Sequence, residues 1–332
     1  KHVRGELVQL SASLDQMLLQ HDYPQPVKQL LAELVAATSL LTATLKFDGD
    51  IAVQVQGDGP VRFAAVNGTD QQQFRGVVRM QSELQGDSFR SLIGEGYMLV
   101  TITPKQGERY QGIIPLTGDS LTSTLEAYFA QSEQLPTRLY LYTDIQQQRS
   151  RAAGFMLQVL PVDQQKAKAD FADLVVLSDT LTQDEILNLP VEQLLYRLFH
   201  QEEVELFAPQ PVSFVCGCSK EKCASAIVSL GREVISEHIA EGKLDISCEY
   251  CNNTYHFNAD DLTELQQHYQ YWLAALVKVY KKHSPLQHLQ IMALIVPALF
   301  PLQPLGWCYF GQHPFSYLQW PGQPRFENLS YG

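Results

Sequence analysis

Four cysteines constrain this chain more than any other feature of its 332 residues: Cys216-Gly217-Cys218, then 29 intervening residues, then Cys248-Glu249-Tyr250-Cys251. Two close pairs brought together by a folded insert supply four thiolates in a tetrahedral set. Zinc favours that set and keeps no open position in it. A one-residue spacer makes a tighter turn than the commoner two-residue one, and Gly217 relaxes it. Asn252 and Asn253 can turn the chain after the second pair and aim backbone amides toward sulfur. Four thiolates leave no room for a metal-bound water, so catalytic zinc is not expected. Two uses stay open on spacing alone. One is a structural zinc ribbon. The other is a redox switch, because zinc-bound thiolates still react with peroxide or hypochlorous acid. Oxidation to disulfides would expel the metal and, since binding and folding are coupled in small metal sites, unfold the local domain.

The distribution of cysteine supports metal chemistry over a disulfide framework. No cysteine occurs before residue 216, whereas a secreted framework spreads its cysteines over the domain it staples. A reducing, cytoplasmic compartment is therefore expected. No secretory signal is read at the start of the chain. The most apolar window, residues 289–305, contains Pro297, Pro301 and Pro304, so no membrane span is expected. The formal net charge is −12, which argues against a nucleic-acid partner. No phosphate-cradling Gly-rich loop is present, and no Gly-x-Ser-x-Gly elbow. An enzyme is not expected.

Periodicity divides the chain into four parts and predicts an α+β fold. Residues 1–162 form the first, an antiparallel sheet domain with packed helices. In it, residues 3–21 read as a helix through Leu7, Leu10, Leu14 and Leu18. A second helix opens at Pro26 and runs through Leu30, Leu34 and Leu41. From Asp48 the period falls to two, with Ile51, Val53 and Val55 alternating with Ala52, Gln54 and Gln56. A Gly57–Pro60 turn and a return strand over 61–66 follow. Further strands are expected near 76–80, 97–103, 110–116, 139–142 and 153–160, with a helix over 120–132. Residues 163–213 carry ten acidic side chains against Lys166, Lys168 and Arg197. They read as an acidic, partly helical linker, with helices at 169–177 and 191–199, that buries little apolar area and is marginally stable. Residues 214–265 form the small four-cysteine domain, and 266–332 an aromatic, Pro-rich extension.

Several long stretches resemble the 33 kDa chaperonin family over roughly residues 3–262. They are VRGE (3–6), HDYPQP (21–26), AATSLLTATLKFDG (36–49), VQGDGP (55–60), GERYQG (107–112), SEQLPTR (132–138) and Cys216-x-Cys218-Ser219-x-Glu221-x-Cys223-Ala224. The resemblance implies a redox-regulated, ATP-independent holdase chaperone that binds unfolding client proteins under oxidative stress. It places the zinc ligands at Cys216, Cys218, Cys248 and Cys251, and a non-ligating cysteine at Cys223. It also implies a reduced, zinc-bound, inactive monomer. Oxidation would pair Cys216 with Cys218 and Cys248 with Cys251, release zinc, destabilise the linker and produce an active homodimer. The competing reading is a constitutive interaction module held by structural zinc.

The extension after residue 265 departs from that family. Its segment around His283, Gln287 and His288 is weakly similar to toxin-activating lysine acyltransferases. Gln287 stands where the catalytic histidine would be, so such a unit would be truncated or non-catalytic. The plainer expectation is a packing or interaction extension anchored by Trp272, Trp307 and Trp320, with Cys308 as a buried free thiol.

Overall fold

The alternating segment at residues 51–55 lies in the middle of the largest sheet. The computed structural model describes residues 3–45, 47–160, 164–229, 232–267 and 308–310. The chain divides into two compact units, residues 1–217 and 218–332. The division falls inside the Cys216-Gly217-Cys218 segment.

The first unit opens with strand β1 (Val3–Leu10) and the short helix α1 (Ala12–Leu18). The expected single helix over residues 3–21 is thus corrected. Val8 and Leu10 enter the main core, while Val3 and Leu7, on the opposite face, pack against a second cluster. A strand apolar on both faces loses the two-residue alternation that would have marked it. Its partner, β8 (Ser150–Val159), lies about 150 residues away in sequence, pairing Val3 with Val159 and Leu10 with Ala152. With β7 (Thr137–Ile145) they form a three-stranded antiparallel sheet ordered β1-β8-β7.

Helix α2 (Gln25–Thr44) carries Pro26 in its first turn, where the missing N–H costs nothing. It lies against strands of both sheets of the unit. Ala36 and Ala37 are buried and allow close approach, whereas Ala43 is exposed. The second sheet has six strands ordered β6-β5-β2-β3-β4-β9. These are β2 (Gly49–Gly57), β3 (Val61–Thr69), β4 (Gln73–Met80), β5 (Gly96–Pro104), β6 (Tyr110–Pro115) and the two-residue β9 (Ser213–Phe214). Val53 is level with Val66 on one side and Val100 on the other, all in the same core.

A short helix, α3 (Phe89–Ile93), explains the glycines of the 57–60 turn. A Cβ on Gly57 would come 2.0 Å from the Ile93 carbonyl oxygen, and one on Gly59 would meet the same carbonyl. Only glycine admits that approach. Helix α4 (Leu121–Tyr128), capped by Ser120 and extended by a π-turn over Phe129–Glu133, buries Leu121, Leu125 and Phe129 as expected.

The acidic segment forms three helices, α5 (Gln164–Ser178), α6 (Gln183–Asn188) and α7 (Val191–Phe199). The expectation that it buries little apolar area is corrected. Leu174, Leu181, Ile186, Leu194, Leu198 and Phe199 are buried against Tyr140, Phe155 and Leu157 of the three-stranded sheet. Its charge is also partly neutralised. Asp179 accepts from the Tyr140 hydroxyl at 2.7 Å and from Arg138 at 2.9 Å, which holds its carboxyl below the usual range. Glu185 pairs with Arg197 and caps α6 through Thr182. Backbone ties add to this, with Gln9 Nε2 donating to the carbonyls of Ile186 and Leu189. Residues 203–212 then run without regular structure, exposing Val204, Leu206 and Phe207.

Glu33 of α2 gives the first unit a pH dependence. Burial alone pushes its carboxyl up to about 7 from 4.5. The folded state therefore holds a proton that the unfolded chain has released, and stability present below pH 4.5 is lost as pH rises toward 7. Glu33→Gln is expected to flatten this loss, worth at most about 3 kcal/mol at 1.4 kcal/mol per unit. Urea unfolding at pH 5 and pH 8 checks it, and equal pH slopes for the variant and the parent would count against burial of Glu33 as the cause.

The second unit contains α8 (Lys220–Ser229), α9 (Arg232–Glu241), β10 (Lys243–Cys248), β11 (Thr254–Asn258) and helical residues 259–267. Its small core comprises Cys223, Ile227, Ile235, Leu244, Ile246, Phe257 and Leu262. Strand β12 (Cys308–Phe310) pairs antiparallel with β10, placing Cys308 level with Cys248. The side chain of Cys308 lies outside the described residues, as do Trp272, His283, Gln287, His288, Trp307 and Trp320 and the expectations attached to them. No helix among the described residues is long and apolar enough to cross a membrane.

Candidate metal centre

The second cysteine pair sits at the tip of the β10–β11 hairpin. Alternation along β10 turns Leu244, Ile246 and Cys248 to the core side. The chain then reverses through Glu249–Asn253. Asn252 adopts a left-handed backbone (φ 53), which asparagine tolerates better than most residues. Its N–H donates to the Cys248 carbonyl at 2.8 Å, and the Cys248 N–H donates to the Asn253 carbonyl at 2.9 Å. The expected turn at Asn252 and Asn253 is present, and its Asn252 amide is directed to the Cys248 carbonyl, where an amide aimed at sulfur was expected. Tyr250, between the two cysteines, is 1% exposed and anchors the knuckle.

The first pair precedes α8. Ser219 caps that helix, and Cys223 in its first turns bonds back to the Ser219 carbonyl. Cys223 points into the small core and is fully buried there. Lys220 pairs with Asp261 at 2.9 Å and lies over the Phe257 ring, which joins the start of α8 to the hairpin and the helical residues after it.

The structure brings Cys216, Cys218, Cys248 and Cys251 together, with all four sulfurs within 4.8 Å of one another. Cys218 and Cys251 are closest, at 3.4 Å. A disulfide would need about 2.05 Å, and no disulfide joins the five described cysteines. Sulfurs around one tetrahedral ion lie about 3.8 Å apart for metal–sulfur bonds near 2.3 Å. The donor set therefore fits a single soft or borderline cation. Cys248 is 3% exposed, whereas the other three ligand candidates are half-buried and open to small solutes.

One residue at this centre has no signal in the cysteine spacing. The Tyr255 hydroxyl on β11 donates to the Cys218 sulfur at 3.1 Å. That bond, first among its causes, raises the phenol above the ordinary tyrosine value, so its proton stays on oxygen. A hydroxyl four residues after the last cysteine is a pattern a sequence could have offered, but only the hairpin register, Tyr255 opposite Ile246, shows where it points.

Comparisons with known proteins give the family and the fold. The family described as Hsp33 protein matches residues 1–258. The 33 kDa chaperonin of Pseudoalteromonas translucida is 50% identical over 264 residues, covering 79% of this chain and 94% of that protein. The 33 kDa chaperonin of Escherichia coli is 51% identical over 266 residues, covering 80% and 91%. The crystal structure of the 33 kDa chaperonin from Thermotoga maritima superposes with a TM-score of 0.73 at 22% identity, over 80% of this chain and 94% of that one, and so shares the fold.

Proposed function

The chain belongs to the Hsp33 protein family of chaperones, and on that premise we propose that it is a redox-regulated, ATP-independent holdase. The observation that carries the proposal is the convergence of four cysteine sulfurs, none in a disulfide, in a unit whose described residues include a cluster of seven buried apolar side chains. In small metal sites of this kind, binding and folding are coupled. Zinc is the proposed ion, held by Cys216, Cys218, Cys248 and Cys251, and when bound it would offset two of the four thiolate charges and hold the sulfurs together. The protein's own residues do the rest. Tyr250 and Phe257 fix the hairpin, and the three half-buried thiolates admit peroxide.

Oxidation is balanced within the centre. A cysteine thiolate attacks one peroxide oxygen, the O–O bond breaks, and a sulfenic acid and hydroxide form. A second thiolate then attacks that sulfur, a disulfide forms and hydroxide leaves. The proposed pairs are Cys216–Cys218 and Cys248–Cys251, neighbours that stay close once the fold loosens. Loss of the metal unfolds the second unit. Release of the helical layer α5–α7 would then uncover the apolar sheet face of Tyr140, Phe155 and Leu157 for unfolding clients. The reduced form is proposed to be a monomer and the oxidised form a homodimer.

Hydrogen peroxide is expected to release one zinc per chain and, with the same time course, to give suppression of aggregation of a chemically denatured client. Zinc retained under oxidant would favour the constitutive module. Zinc released with no effect on client light scattering would sink the chaperone switch.

A further inference from the structure

The Tyr255 hydroxyl donates a hydrogen bond to the Cys218 sulfur at 3.1 Å. We propose that it is a positioning residue for the redox chemistry, holding the Cys218 sulfur and restraining its attack on peroxide. The inference rests on the zinc-switch reading above and adds to it a brake on one of its sulfurs.

Geometry supports this role. The Tyr255 ring packs against the small core, two residues before the buried Phe257 on the same face of β11. An anchored ring leaves the hydroxyl little freedom, so the bond to Cys218 is preorganised. The same sulfur lies 3.4 Å from Cys251. Cys218 is only half-buried, so exposure alone would leave it open to oxidant. A donor aimed at a thiolate withdraws electron density from the lone pair that must attack the O–O bond. The phenol thus sets a threshold: weak oxidant is resisted at Cys218 and the four-sulfur set survives.

The test is Tyr255→Phe, which keeps the ring and removes only the hydroxyl, in the full chain loaded with zinc. Zinc release under peroxide is followed with a chromophoric chelator. Separately, timed alkylation with iodoacetamide and peptide mapping reads each cysteine without any redox step. The expected result is zinc release faster on the order of threefold or more, with alkylation rising selectively at Cys218. Equal rates in variant and parent, within a factor of two, would overturn the inference, as would uniform acceleration at all four cysteines, which marks mere loosening of the hairpin. If the parent keeps its zinc in peroxide, the switch reading fails by itself. The alkylation arm still decides Tyr255, because selective acceleration at Cys218 supports its role and its absence removes it.

Discussion

Replacing Cys248 with serine is expected to abolish zinc retention and to unfold the second unit while the first stays folded. Cys248 is the most buried of the four clustered cysteines and closes both the strand β10 and the hairpin turn. A serine oxygen is a hard donor and does not replace thiolate sulfur at a soft site. Structural zinc contributes about 10–16 kcal/mol of apparent binding free energy to small domains, which is also their folding free energy. Metal analysis should show less than a tenth of an equivalent of zinc, and amide exchange across residues 220–267 should approach that of an unstructured chain. Cys223→Ser is the control. It places a hydroxyl in the same core but removes no clustered sulfur, so it should cost about 1–3 kcal/mol and keep the metal. Retention of zinc by the Cys248 variant, with protected amides in β10 and β11, would refute the four-sulfur site.

Removing the Leu194 side chain should uncouple the helical layer from oxidation. Leu194 is fully buried, and Leu198 one turn later and Phe199 share its cluster, while Tyr196 on the other face is exposed. Leu→Ala at such a position costs about 2–5 kcal/mol. The layer α5–α7 meets the rest of the first unit through this cluster and a few polar ties, such as Tyr140 to Asp179 and Gln9 to two carbonyls. Helix α2 and the six-stranded sheet draw on a separate and larger cluster. The loss should therefore fall on the layer first. Exchange is expected to rise over residues 169–199 at urea concentrations that leave β2, β3 and β5 protected, and Leu194→Ala should suppress client aggregation in the reduced state. Cooperative unfolding of the whole first unit, or a detached layer without client binding, would show that this layer is not the cover of the binding face.

Much of the fold could be read locally. Ile51, Val53 and Val55 alternate because only one of their faces is apolar, and α2 announces itself through Pro26 and the leucines that follow. The first strand was hidden because Val3 and Leu7 pack on one cluster and Val8 and Leu10 on another, so its leucine spacing imitates a helix. The acidic segment misled for a related reason. Its charge count is correct, but Asp179 and Glu185 find Arg138 and Arg197, and the half of α7 that carries Leu194 and Leu198 is enough to dock.

The cysteine spacing alone was sufficient to name four sulfurs that converge as one candidate ligand set, since ligand chemistry and turn geometry are both short-range. It left open whether the site is a static staple or a sensor. That distinction depends on how little core supports the hairpin, which thiols peroxide can reach, and what holds each sulfur. These are distances between residues far apart in the chain. The 3.1 Å bond from Tyr255 to Cys218 spans 37 positions, and it exists only because antiparallel pairing of β10 and β11 carries that hydroxyl back to the start of α8.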